Sequence, residues 1–192
     1  MGLPERVPGF VVAAGRAIGR DLPALDARDV LRPWREAIGG RGPFFVRLEA
    51  GAPAAIAHIQ RLSRIGELWL DARVDSVEEA LDLVIAGASR LVVPTADRDP
   101  DLLDAVGPSA LIEWDGLTPW HEVQAAALEH SAPVLASATP PGDAACDVFV
   151  VDGDGHGIRL TRVASAPTPT PPQMAKDASP AVPAATGAGE DG

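Results

Sequence analysis

Of the 192 residues, 27 are acidic and 16 basic, which gives a formal net charge of −11 and a pI of about 4.7; the single lysine is Lys176. That balance excludes a phosphate-tracking nucleic-acid binder, which needs clustered bases that outweigh the acids. No apolar run approaches the roughly 20 residues needed to span a bilayer, so no membrane association is expected. The lone Cys146 leaves neither an intrachain disulfide nor a cysteine-based zinc site. The N-terminus MGLPERVPGF lacks the charged-then-apolar shape of a signal peptide. Together these point to a cytoplasmic protein.

In chain order, β-rich apolar runs alternate with helix-patterned segments. Strands are predicted at Phe10 to Ala14, Phe44 to Leu48, Leu68 to Leu70, Leu91 to Val93, Ala110 to Glu113, Pro133 to Ala136 and Val148 to Val151. Helices are predicted between them, over Arg28 to Ile38, Ala54 to Leu62, Ser76 to Ala86, Pro100 to Ala105 and Pro119 to Glu129. Such alternation is the rhythm of parallel strands joined by helical crossovers. Continuous apolar strands suit a sheet covered on both faces. The best-marked helix places Val77, Ala80, Leu81, Val84 and Ile85 on one stripe, so Leu81 is expected in the core. Ser76 with Glu79 forms a capping-box pattern at its start, and Gly87 can close its end.

The rhythm fails near the end. Thr139 to Asp147 is too short and too rich in Pro and Gly for a crossover helix, and Val148 to Val163 reads as a hairpin around Asp152-Gly-Asp-Gly-His-Gly. The last 28 residues, Ser165 to Gly192, hold six prolines, no aromatic and four charged residues, and are expected to be a disordered Pro/Ala/Thr-rich tail. A full eight-fold barrel typically has about 250 residues. The fold expected for residues 1–164 is therefore an α/β trimmed or incomplete (β/α)8 barrel of parallel strands, with an open doubly wound sheet as the alternative. A trimmed barrel would leave unpaired strand edges that need a protein partner or second copy, an extra chain segment or charged edges.

Glu67 to Thr95, ELWLDARVDSVEEALDLVIAGASRLVVPT, resembles the third and fourth βα units of the histidine-biosynthesis barrel family, whose members include the isomerase HisA and the cyclase subunit HisF. The family pattern there is a glycine-containing turn, Arg-Ser-x-Glu-Asp-Ala opening a helix, Ala-Gly-Ala, then a Val-Val-x-Gly-Thr strand. Asp99-Pro-Asp-Leu-Leu and Ala110 to Gly116 extend the likeness to the fourth helix and fifth strand. The resemblance implies chemistry on a phosphorylated ribose compound at the carboxyl ends of the strands, with one acid ending the first strand and another ending the fifth. Here the first strand ends in Ala13 and Ala14, with Arg16 the nearest polar group. The fifth offers Glu113 or Asp115, so Glu113 and Asp71 are the candidate catalytic residues.

Phosphate in this family is held by glycine turns whose bare amides approach an anion closely. The third-strand turn has Arg73 where glycine is expected and Asp75 where the family has arginine; the fourth ends in Pro94 in the glycine position, and proline has no N–H. Arg73 could hold a phosphate by its side chain, or pair with Asp71, Asp75 or Glu49 on a solvated rim. Thr95, Trp114, Asp115 and Arg16 complete the candidate ligand-binding set, Trp114 as a stacking platform beside Glu113. No cofactor is implied. No metal site is expected either: Asp152-Gly-Asp-Gly-His156 is shorter than a calcium loop and lacks its closing glutamate. The functional expectation is a member of this lineage with degenerate catalytic and phosphate sites. The alternatives are an active isomerase or lyase on a small phosphorylated metabolite using Glu113 and Asp71, and a non-catalytic partner of another barrel enzyme.

Overall fold

A computed structural model describes residues 3–49, 55–95, 101–141, 143–154 and 157–164. The expected tail, and Gly155 and His156 of the Asp-Gly-Asp-Gly-His turn, lie outside the described residues.

The strands are β1 (Arg6–Ala13), β2 (Arg16–Ala17), β3 (Pro43–Leu48), β4 (Glu67–Asp71), β5 (Ala88–Pro94), β6 (Ala110–Trp114), β7 (Val134–Ala136), β8 (Val148–Asp154) and β9 (Gly157–Ala164). Between them run α1 (Leu31–Ile38), α2 (Ile56–Ser63), α3 (Val77–Ala86), α4 (Leu102–Val106) and α5 (Trp120–Glu129). Apart from β2, which the sequence pattern did not mark, each lies where that pattern placed it, to within a few residues. None of the described helices is long and apolar enough to cross a membrane.

Strand order runs β1-β3-β4-β5-β6-β7-β8-β9, and β9 returns to pair with β1, so eight strands close into a barrel. Closure overturns both the open-sheet alternative and the expectation of unpaired edges. The pairs from β1 through β8 are parallel, whereas β9 is antiparallel to both β8 and β1. A hairpin and a loop thus replace the last crossovers of a regular (β/α)8 barrel, and an antiparallel eighth strand does the closing. At this seam Gly9 faces Ile158, where a Cβ on Gly9 would stand 2.9 Å from the Ile158 carbonyl oxygen. Glycine is what lets the two backbones meet there.

The short β2 folds back on β1 through Ala14 (φ 46°) and Gly15 (φ 75°). Two left-handed residues make the two-residue turn whose twist suits a hairpin, and Gly15 has a second reason to be glycine: a Cβ would lie 2.7 Å from the His58 ring.

Two apolar layers hold the barrel. Inside, Val7, Phe45, Trp69, Val92, Leu111, Leu135, Phe149, Ile158 and Leu160 fill the lumen, with Trp69 and Phe149 edge-to-face at 5.1 Å. The alternate residues of the same strands pack outward against the helices. A guanidinium covers each end of the lumen: Arg47 lies over Phe45 at the carboxyl ends of the parallel strands, and Arg90 over Trp69 at the amino ends. At the amino end Arg90 also donates to the carbonyls of Pro108 and Ala110, and Arg162 pairs with Asp147 at 3.7 Å.

The capping of α3 follows its sequence. Ser76 Oγ accepts from the Glu79 N–H, the Glu79 carboxylate accepts from the Asp75 N–H, and Gly87 closes the helix at φ 115°. Its buried face, however, is Ala80, Leu83 and Ala86. Leu81 is 39% exposed and Ile85 82% exposed, so the expected stripe is rotated away from the core. The side of a surface helix that meets the barrel is set by where the strands lie, and small alanines on that side allow close approach.

Candidate functional site

The site builds from four adjacent strands. Register places Arg47 of β3 beside Asp71 of β4, and Pro94 of β5 beside Glu113 of β6, all at the carboxyl ends. Interior positions alternate along a strand, so the parity that puts Phe45, Trp69, Val92 and Leu111 in the lumen also puts Arg47, Asp71, Pro94 and Glu113 above them.

Asp71 is buried at 4% exposure, and its carboxylate accepts from Arg47 Nε at 2.6 Å. Beside it opens a cleft of about 300 Å³ lined by Asp71, Arg73, Val74, Asp75, Val92, Pro94 and Glu113. Asp71, Arg73 and Glu113, singled out from sequence, therefore converge. Burial pushes the Glu113 carboxyl up from its ordinary value and the Asp71 charge adds to the rise, while Arg47 and Arg73 oppose it. A half-buried carboxyl pushed toward neutrality is the kind of group that can give or take a proton.

Arg73 stands at φ 53°, in the left-handed region. A side-chain-bearing residue in that region costs about 1–2 kcal/mol. The alternative of a rim ion pair is corrected: Asp71 is taken by Arg47, and Arg73 forms neither an ion pair nor a hydrogen bond among the described residues.

The other candidates do not line this cleft. Asp115 is exposed and accepts the Leu117 and Thr118 N–H groups at 2.8 Å each, bonds that hold its carboxyl below the usual range. It caps a turn. Trp114 faces the helical layer, with its Nε1 donating to the Thr118 carbonyl at 2.9 Å and its ring 5.2 Å from that of Trp120. Thr95 receives a hydrogen bond from Thr118 Oγ1 at 3.2 Å and ties the end of β5 to the same loop. Arg16 is exposed on β2. Asp152 lies in β8, paired with Arg159 of β9, and is exposed. Among the described residues no three His, Cys, Asp or Glu side chains are grouped to hold a metal ion.

Sequence reasoning misses Arg47, the direct partner of Asp71. The signal was present: in Phe44-Phe-Val-Arg-Leu it is the one charged residue of an apolar strand, on the parity of Phe45. Comparison of the chain with protein-family models, and with curated proteins, finds no match.

Proposed function

We propose that this chain is a divergent relative of the histidine-biosynthesis barrels that has lost ribotide isomerisation and keeps the upper cleft as a small-molecule site. The observation that carries this reading is the end of β1. Its lumen-facing position level with Arg47 is Val11, and the strand then turns through Ala13, Ala14 and Gly15. Ring opening and rearrangement need an acid and a base on opposite sides of the sugar, each typically contributing about 10² to 10⁴ in rate. On the side facing β6, the carboxyl-terminal part of β1, Phe10 to Ala13, has no titratable group.

Loss of the phosphate grip points the same way. Pro94 offers no N–H, and at the start of α3, which follows the Arg73 turn, the Glu79 N–H is taken by Ser76 and the Asp75 N–H by the Glu79 carboxylate. Two of the donors an anion would use there are thereby engaged internally. The unpaired Cys146 supports a cytoplasmic setting for this reading.

A second reading, an acid–base enzyme on a phosphorylated ribose-type metabolite, is favoured by one observation, the raised Glu113 carboxyl beside the Asp71–Arg47 pair. A scaffolding role beside another barrel enzyme loses its original reason, since the seam leaves no strand edge of the barrel ring unpaired. The deciding experiment incubates purified protein with the family's ribotide and follows product beside an active isomerase. No product is expected. Turnover within about tenfold of the active enzyme, a difference of only about 1.4 kcal/mol in barrier, and abolished by Glu113→Gln, would overturn the loss of function.

A further inference from the structure

We infer that the upper cleft takes a small monocarboxylate, gripped by the Arg73 guanidinium, in place of a phosphorylated compound. The inference rests on reading the cleft as a ligand site, and it concerns which anion fits there.

The supply of cations comes first. Arg47 is occupied by Asp71 at 2.6 Å and lies over Phe45, so Arg73 is the cation lining the cleft with no ion-pair partner among the described residues. With Asp71 taken by Arg47, two further acids line the cleft with it, Asp75 and Glu113. A phosphate near neutral pH carries close to two negative charges, which one unspent guanidinium against those acids cannot balance. A carboxylate carries one, and its two oxygens match the planar fork of a guanidinium in a bidentate pair.

Backbone donors decide in the same direction. Phosphate sites gather several N–H groups around three oxygens, whereas Pro94 at this cleft has no N–H, and Val74 and Val92 add apolar residues to its lining. That lining suits the short carbon skeleton of a small acid. The cleft, at about 300 Å³, sits at the small end of ligand pockets. The half-buried Glu113 lines the same cleft, and its carboxyl can donate to, or accept from, an oxygen next to the carboxylate. Arg73 also holds a left-handed backbone at φ 53°. A strained residue that aims the free cation into a cleft is where strain and function usually coincide.

The test titrates full-length, isotopically labelled protein with pyruvate, inorganic phosphate and glycerol at constant ionic strength, and reads the Arg73 Nε–Hε signal and binding heat. Pyruvate is expected to give a saturable shift at least about tenfold tighter than phosphate, a difference of 1.4 kcal/mol, with glycerol giving none. Arg73→Lys should weaken binding and Arg73→Gly abolish it. Because glycine relieves the left-handed strain, Arg73→Gly should unfold at the same or a higher temperature, so lost binding will not mean lost fold. Phosphate binding as tight as pyruvate, unchanged pyruvate binding by Arg73→Gly, or no saturable shift with either anion would each overturn the inference. A chain that makes no ribotide product yet prefers phosphate fails this inference alone. Ribotide turnover, scored separately by product, is what fails the loss of isomerisation.

Discussion

Gly9→Ala probes the seam that makes the barrel a barrel. The new Cβ would stand 2.9 Å from the Ile158 oxygen, 3.2 Å from its carbonyl carbon and 3.3 Å from its Cβ. The first two are backbone atoms, so no side-chain rotation relieves the contact and β1 must move from β9. Overpacking of this kind costs about 1–3 kcal/mol. Replacing glycine removes about 0.4–1 kcal/mol of unfolded-state entropy, so the net destabilisation should be about 1–2 kcal/mol. At about 2–4 °C per kcal/mol for a domain of this size, the thermal midpoint should fall by about 2–8 °C. Gly42→Ala is the matched control: nothing lies within 4 Å of a Cβ there, so that variant should be neutral or slightly stabilised. Urea and thermal unfolding of both, followed by far-UV circular dichroism, read the difference. If Gly9→Ala is as stable as the parent while Gly42→Ala behaves as expected, β9 does not pair with β1 as described and the barrel is open at that seam.

Three further outcomes are expected. Leu83→Ala should cost about 2–5 kcal/mol, as deletions of fully buried leucines do, whereas Leu81→Ala, at 39% exposure, should cost well under half of that in the same urea series; equal losses would place the helix in the other phase. The Glu113 carboxyl is raised in the folded chain, so the native state binds the extra proton and stability must fall as pH climbs from the unfolded carboxyl's range through the folded one. Glu113→Gln should abolish that decline and be at least as stable as the parent at pH 7, and a parent whose urea midpoint rises across that interval while the variant's stays flat would contradict the sign. Burial, with Asp147 adding to it, pushes the Cys146 thiol up to about 11, so alkylation at pH 8 should be slow and should track unfolding; rapid labelling of the native protein would show that the thiol is accessible.

Much of the fold was legible because it is written locally. Seven strand cores and five helices follow from runs and periods, and the caps of α3 follow from Ser76, Glu79 and Gly87. The hairpin near the end was legible from the glycines after Asp152. What could not be read was set by distant partners. Nothing local to Gly157–Ala164 says that it reaches β1, and nothing in the α3 stripe says that Leu83 rather than Leu81 meets the barrel. The site divides in the same way: Asp71, Arg73 and Glu113 stand at strand ends that the resemblance marked, but the Arg47–Asp71 pair depends on register between strands. Trp114 misled because a tryptophan beside a candidate acid looks like a platform, while strand alternation sends neighbours to opposite faces.

The direction of β9 has a topological consequence. In a ring of eight parallel strands the last would finish beside the Asp71–Glu113 cleft; here it runs the other way, and the Arg162 N–H bonds to the Glu5 carbonyl at 2.8 Å, next to where β1 begins. The beginning and end of the ring therefore emerge side by side on the face opposite the cleft. A few linking residues would splice them into a circular permutant, with new termini opened in a loop at the cleft's rim, and any tether attached after β9 would start from the side turned away from the cleft.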